Sequence, residues 1–285
     1  MADYSKISDD KLLKLLYSEG DTLPRQVIDE ICRREGMVQR LAAIVADPYN
    51  WNEPLPAWWA PVHAVYALGA LGTAETVLPL LKALRYAEAC ENEWVAEDLG
   101  AIFGVVGPVA EEGLRTMAAD RTSGWLVRAI ALEGLAAMTL RSPEREEGVF
   151  RLISAVFLDN SEDRQLRRNA GGILLDFLRP ENKEELIAFG GEERELMGRD
   201  PLYKAAFSDC EVEAEFRQGN RMLEHYRKDW LRFYDPEEIG NRQQRWDKER
   251  IETASKPEHT PAHELCPFAS GTHQKKCCLG KVGIA

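Results

Sequence analysis

The sequence has few cysteines and almost none of the residue patterns that are typical of β-strands. Its 285 residues include six cysteines, three of which lie within the last twenty residues. The other three are widely spaced, so no regular disulfide framework is indicated, and a reducing cytoplasm is the expected compartment. Apolar residues recur at steps of three and four rather than alternating, a pattern that predicts an all-α fold.

Long apolar runs and excess positive charge are also lacking. No stretch approaches the ~20 apolar residues that a transmembrane helix needs. Residues 1–6 do not have the basic and then apolar composition of a secretion signal, so no membrane partner is expected. The net charge of −12 argues against binding to nucleic acid, because attraction to phosphates requires a basic surface. Residues 256–285 carry four lysines against two glutamates, so this end is weakly basic and the preceding 255 residues carry −14.

The common catalytic motifs are missing as well. The sequence contains no phosphate-binding loop, no dinucleotide-binding glycine motif, no nucleophile elbow and no His-Glu-x-x-His helix. His63 lies on a predicted helix, four residues after Trp59 and three before Tyr66. No nucleophile or orienting carboxylate is specified near it, so a structural histidine is favoured. The alternative is a hydrolase-type enzyme with its site in a groove of the helical array near His63.

A loose repeat occupies residues 60–190. In each copy a helix rich in small residues is followed by a turn and a second apolar helix. Gly72 and Gly107 mark equivalent positions 35 residues apart. The paired segments are 64–72 with 77–81, 99–107 with 109–114, 127–135 with 149–153, and 166–175 with 186–187.

This pattern resembles HEAT repeats, whose stacked helix pairs form an α-solenoid with an extended binding surface. The resemblance implies a HEAT-like domain over residues 1–190, with the earlier helices as a cap. A helical extension is predicted over 191–254, in which a long helix begins near Glu211 and is stopped by Asp235-Pro236. His225 is expected on the exposed face of that helix. A proline-containing linker is predicted over 255–264, followed by a small module over 265–285.

The C-terminal module carries the most specific chemical signal. Cys266-Pro267 begins a turn, and the adjacent thiols Cys277-Cys278 follow a short basic stretch. Such an arrangement supplies three ligands for tetrahedral Zn2+. A neutral imidazole from His273, or alternatively from His263, is the candidate fourth ligand. Two other interpretations stay open, namely a degenerate module with reduced thiols and a disulfide between the adjacent cysteines.

The spacing of Cys266, Pro267, Ser270, Gly271, Lys275, Lys276, Cys277 and Cys278 resembles the SEC-C motif, best known from the tail of the preprotein translocase motor SecA. Phe268 stands where the second cysteine of that motif is expected. Helical repeats followed by a SEC-C module resemble a bacterial family of unknown function. The resemblance implies zinc binding and contact with a protein partner, as the tail of SecA contacts a chaperone.

The combined prediction is a cytoplasmic scaffold or adaptor that binds a protein or peptide. Acidic pairs on the repeats, such as Glu111-Glu112 and Glu146-Glu147, are candidates for recruiting a basic peptide, although the helix dipole also favours carboxylates at helix starts. Trp51, Trp58 and Trp59 are candidates for a binding surface, but packing between helix pairs is favoured for them.

Overall fold

The computed structural model describes residues 3–200 and 202–255, with side chains described as far as Ile251. Within these ranges the chain consists of α-helices joined by turns and short 3-10 helices, and no strand is present, which confirms the all-α prediction. None of these described helices is both long and apolar enough to cross a membrane. The α-helices are α1 Asp9–Ser18, α2 Arg25–Arg33, α3 Met37–Ala46, α4 Ala60–Leu71, α5 Ala74–Ala89, α6 Glu93–Val106, α7 Glu111–Ala119, α8 Trp125–Thr139, α9 Glu146–Leu158, α10 Arg164–Asp176, α11 Lys183–Arg199, α12 Asp209–Gln218 and α13 Pro236–Ser255.

The structure has α-helices at each of the predicted paired segments, namely α4 and α5, α6 and α7, α8 and α9, and α10 and α11. Gly72 and Gly107, the two glycines 35 residues apart, both follow the first helix of a pair and have positive φ angles of 57° and 78°. A side chain at a left-handed position is strained, so glycine allows the chain to turn from the first helix into the second.

The chain forms two compact units. The first, here called the terminal unit, comprises residues up to Asp98 together with the described residues from Asp229 onward. The second, the central unit, comprises Leu99–Lys228. Helix α6 therefore contributes residues to each unit. Each unit buries its own set of apolar residues.

The core of the terminal unit is aromatic. Trp51, Trp58 and Trp59 are all buried, which confirms their interpretation as packing residues. The indole N–H of Trp51 donates to the backbone oxygen of Val45 at 2.9 Å, so its burial leaves no polar atom without a hydrogen bond.

In the central unit, small residues let helices α6 and α8 approach closely. A Cβ atom added at Gly104 of α6 would lie 2.6 Å from the Cβ of Ala137 of α8. A Cβ at Gly134 of α8 would lie 2.9 Å from the Cβ of Phe103 of α6. Both distances are too short for a real contact, so glycine is required where these helices cross.

Helix α11 passes through the predicted domain boundary at 190/191 and continues to Arg199. Two sequence predictions about the residues that follow are wrong. The long helix predicted from Glu211 ends at Gln218, because Gly219 adopts a left-handed conformation with φ of 74°. Pro236 begins α13 rather than stopping a helix, since proline is favoured in the first turn.

Candidate functional site

The predicted zinc ligands lie outside the described residues. This applies to Cys266, Cys277, Cys278 and His273, and to the alternative ligand His263. The linker 256–264 and the SEC-C-like module 265–285 also lie outside. Within the described ranges, no group of three or more His, Cys, Asp or Glu side chains is arranged to hold a metal ion.

His63 lies at the centre of the terminal unit, with no exposed surface. Its Nε2 is 2.9 Å from the backbone oxygen of Gly20, and its Nδ1 is 2.9 Å from the hydroxyl of Tyr234. A carbonyl oxygen only accepts hydrogen bonds, so Nε2 must carry the proton and Nδ1 must accept from Tyr234. Burial lowers the pKa of His63 to about 4, which keeps the imidazole neutral.

Aromatic rings enclose this histidine. The ring centroids of Trp59, Phe233 and Tyr234 lie 6.2, 6.0 and 5.6 Å from that of His63. A general base must reach the proton that it removes from a substrate. Because both nitrogens of His63 are hydrogen-bonded within the protein and the ring is fully buried, this geometry gives no support to the hydrolase alternative and favours the structural interpretation.

A polar clamp closes the terminal unit beside His63. Arg242 of α13 lies 3.8 Å from the ring centroid of Phe233, and it donates to the backbone oxygens of Phe233 at 3.0 Å and of Asp21 at 2.6 Å. The carboxylate of Asp21 also accepts from Gln243 at 2.9 Å and from Trp246 at 2.7 Å. Asp21 directly follows Gly20, so the clamp fixes the carbonyl that His63 contacts.

The first carboxylate of each of two acidic pairs in the central unit forms an ion pair with an arginine of another element. Glu111 at the start of α7 contacts Arg145, which precedes α9. Glu146 at the start of α9 lies 2.6 Å from Arg179. Arg179 precedes the turn into α11. These two pairs, here called the ladder, link positions 34 and 33 residues apart, close to the length of the repeat. Glu111 and Glu146 are therefore engaged within the fold and do not present free carboxylates to a basic peptide.

Sequence reasoning missed a second polar cluster in the central unit. Glu133 of α8 accepts from the side-chain amide of Asn169 of α10 at 2.7 Å, and its other oxygen lies 3.6 Å from Nε2 of His225. The hydroxyl of Tyr226 donates to Asp176 at the end of α10, at 2.8 Å. These residues are far apart in sequence and share no motif. The helical repeat, which predicts that α8 and α10 are neighbours, is the sequence feature from which the Glu133–Asn169 contact could have been inferred.

This cluster has unusual electrostatics. Burial raises the pKa of the Asp176 carboxyl to about 6, against the opposing effect of the Tyr226 hydroxyl. The carboxylate of Glu133 raises the pKa of His225, whose side chain is about half exposed (52%). The two groups with shifted pKa values lie where α8, α10 and the chain after α12 meet.

A third cluster of polar groups surrounds a buried carboxylate. Glu193 of α11 has no exposed surface, and it accepts from Arg164 at 2.8 Å, from the Tyr203 hydroxyl at 2.7 Å and from the backbone N–H of Ala206 at 3.0 Å. These donors hold the pKa of Glu193 below its usual value, although burial acts in the opposite direction. A carboxylate held in this way stabilises the turn after α11 and has little capacity left for a ligand.

Comparison of the chain with protein-family models, with curated proteins and with solved structures gave no match.

Proposed function

We propose that this chain is a protein-binding scaffold or adaptor, in which the helix pairs form the main docking surface and the C-terminal cysteine module makes a second contact. The observation that carries the proposal is the ladder. Equivalent acid–arginine pairs at Glu111–Arg145 and Glu146–Arg179 join successive helix pairs of the central unit with the period of the sequence repeat.

Periodic joining of this kind supports a HEAT-like interpretation of the central unit. In helical-repeat proteins each pair contacts its neighbours, and the stacked pairs present an extended surface. The two carboxylates stand at the starts of second helices, where the dipole stabilises them, and the arginines come from the next pair. Such an array gives a partner a regular surface, whereas the buried and hydrogen-bonded His63 gives no reactive group.

The C-terminal module is the proposed second contact. The lysines of residues 256–285 give this segment a net charge of +2, whereas the preceding residues carry −14. The SEC-C resemblance supports a partner that is itself a protein, within a reducing cytoplasm. Two weak contacts on one chain raise the overall affinity, because the second contact forms at a high effective concentration.

The test is a binding measurement with three matched proteins. The full chain, a chain ending at Glu252 and a full-length Cys277→Ser variant are used as bait under reducing conditions, and the partner that is recovered is then titrated against each. We expect one partner to bind all three, with at least tenfold weaker affinity for the truncated chain. Equal affinities would remove the module from the proposal. Failure of any partner to bind the helical body would contradict the scaffold function itself.

Zinc binding by the module is proposed on the sequence motif alone, with Cys266, Cys277, Cys278 and His273, or alternatively His263, as ligands. Native mass spectrometry of protein purified without a metal-binding tag should show one bound zinc. The ion should be lost in Cys277→Ser and retained in Cys210→Ser, which alters an exposed cysteine of the central unit. A metal-free spectrum of the wild type in zinc-supplemented buffer would contradict the proposal.

A further inference from the structure

Residues 219–228 form a strap that follows α12 and lies against α8 and α10 within the central unit. The strap begins at the left-handed Gly219, and its backbone forms no α-helix before the short 3-10 turn His225–Arg227. Most of its side chains are exposed, whereas Leu223 and Tyr226 are buried. A segment that buries two side chains depends on its specific polar contacts to stay in place.

Two of these contacts converge on a single residue of α10. The backbone N–H of Met222 donates to the backbone oxygen of Asp176 at 3.0 Å, and the hydroxyl of Tyr226 donates to the carboxyl of Asp176 at 2.8 Å. The Tyr226 ring packs edge-on against Phe177, with the centroids 4.9 Å apart. Asp176 is therefore the principal anchor of the strap.

The third contact joins the strap to α8. Nε2 of His225 lies 3.6 Å from Oε2 of Glu133, an ion pair when the imidazole is protonated. The other oxygen of Glu133 accepts from Asn169 at 2.7 Å, which fixes the carboxylate in position. The imidazole therefore meets an acceptor that is already oriented toward it.

The charged groups around these anchors come from α8, α9, α10, α12 and the strap itself. Glu133 of α8 and Glu215 of α12 both raise the pKa of Asp176, in addition to the larger effect of burial, whereas His225 lowers it. Glu133 and Asp176 raise the pKa of His225, and Lys228 of the strap lowers it. Arg221 of the strap lies 3.9 Å from Glu146 of α9. Burial is the main cause that favours the protonated form of Asp176, and the Glu133 carboxylate is the main cause that favours the protonated form of His225.

We propose that residues 219–228 act as a pH-sensitive strap, which is held against α8 and α10 under mildly acidic conditions and released increasingly as the pH rises through neutrality. Protonation of His225 strengthens its pairing with Glu133. Protonation of Asp176 removes a buried negative charge while its second oxygen still accepts from Tyr226. Both events favour the closed strap, so the two groups act in the same direction.

The sign and size follow from linkage. The pKa of Asp176 is raised to about 6 in the closed strap, and exposure of the carboxyl on opening is expected to return it toward the ordinary 3.8, so the open form gains as the pH rises between these values. If opening removes the whole pKa shift of Asp176, the equilibrium constant for opening rises about 100-fold over the full titration. Between pH 5 and pH 7.5 it rises roughly tenfold. Protonated His225 stabilises the closed strap fully below pH 6.5, the ordinary pKa of an imidazole. This stabilisation is lost as the pH rises through the higher pKa that His225 has in the closed strap.

Hydrogen exchange of the intact chain, followed by mass spectrometry at pH 5 to 7.5 with labelling times corrected for the intrinsic rate, tests the strap directly. We expect the opening constant of peptides covering 219–228 to rise about tenfold across this range. Residues 159–163 provide an internal control. They are held by Asp159, whose pKa is lowered to about 2 by its bonds with Ser161, so their protection should stay constant.

Two conservative variants separate the contributions. Asp176→Asn keeps an acceptor for Tyr226 without the titrating charge and should abolish most of the pH dependence, leaving the strap closed at pH 7.5. His225→Gln should raise the opening constant at pH 5 severalfold. A constant protection of 219–228 from pH 5 to 7.5, or the same pH dependence in the double variant, would overturn the proposal. In the wild type, NMR titration should place the midpoint of His225 above 6.5, and a midpoint at or below this value would also overturn it.

Discussion

At the scale of single residues, His63 shows how burial fixes both the tautomer and the charge of an imidazole. Its two nitrogens contact Gly20 and Tyr234, which lie 43 and 171 residues away in the sequence. The sequence placed His63 beside aromatic residues of its own helix, but these distant partners could not be predicted from local pattern. The same limit applies to His225, whose contact with Glu133 depends on the path of the chain after α12.

The buried His63 should make the terminal unit sensitive to acid. Its pKa is about 4 in the folded chain and near 6.5 in the unfolded chain, so the unfolded state binds more protons between these values. Stability is fully present above pH 6.5 and falls by about 3 kcal/mol as the pH drops toward 4. Urea denaturation at pH 5 and pH 7, compared between the wild type and His63→Phe, measures this effect. Equal pH dependence in the two proteins would show that His63 is not the titrating group.

The hydroxyl of Tyr234 is predicted to stabilise the same unit. In Tyr234→Phe the Nδ1 of His63 loses its donor while buried, which should cost about 1–3 kcal/mol in the free energy of unfolding. Tyr49→Phe is the matched control, because the Tyr49 side chain is 79% exposed and its substitution should change the free energy by less than about 0.5 kcal/mol. Similar losses in both variants would contradict the role assigned to the buried hydrogen bond.

At the scale of elements, the paired helices could be predicted because their signals are local. Small residues at helix crossings and the glycines at 72 and 107 recur with the repeat. A helix was wrongly predicted over residues 219–235 because four apolar side chains there have helical spacing, namely Leu223, Tyr226, Trp230 and Phe233. These side chains are buried, but the backbone that carries them is irregular or forms 3-10 turns. Gly219-Asn220 was the available sign that α12 ends there.

Adjacent glycines in α11 should respond oppositely to alanine. A Cβ at Gly190 would lie 2.5 Å from the backbone nitrogen of Asp209, whereas a Cβ at Gly191 would meet nothing within 4 Å. Gly190→Ala must push apart two backbones and should cost about 1–3 kcal/mol. Gly191→Ala should stabilise the helix by about 0.5–1 kcal/mol. Thermal and urea unfolding of the two variants provide the comparison, and a loss of stability in Gly191→Ala would contradict the packing described here.

At the scale of the whole molecule, α13 should be essential to the terminal unit. A chain ending at Asp235 lacks Arg242, Gln243 and Trp246, and leaves the Asp21 carboxylate without these donors. We expect a loss of at least about 3 kcal/mol relative to a chain ending at Ser255, measured by urea unfolding. Arg242→Met in the full chain should reproduce part of this loss. Identical unfolding midpoints for the two truncated chains would contradict the role of α13.

The contact between Asp21 and Arg242 also has a consequence for synthesis. The two residues are 221 positions apart, and a ribosome that adds ~5–20 residues per second needs roughly 10–45 s to travel between them. The central unit, Leu99–Lys228, is translated in full before Phe233 and Tyr234 are added to the aromatic side chains around His63. The central unit is therefore expected to fold before the terminal unit during synthesis. The N-terminal helices are expected to need a chaperone until α13 leaves the exit tunnel.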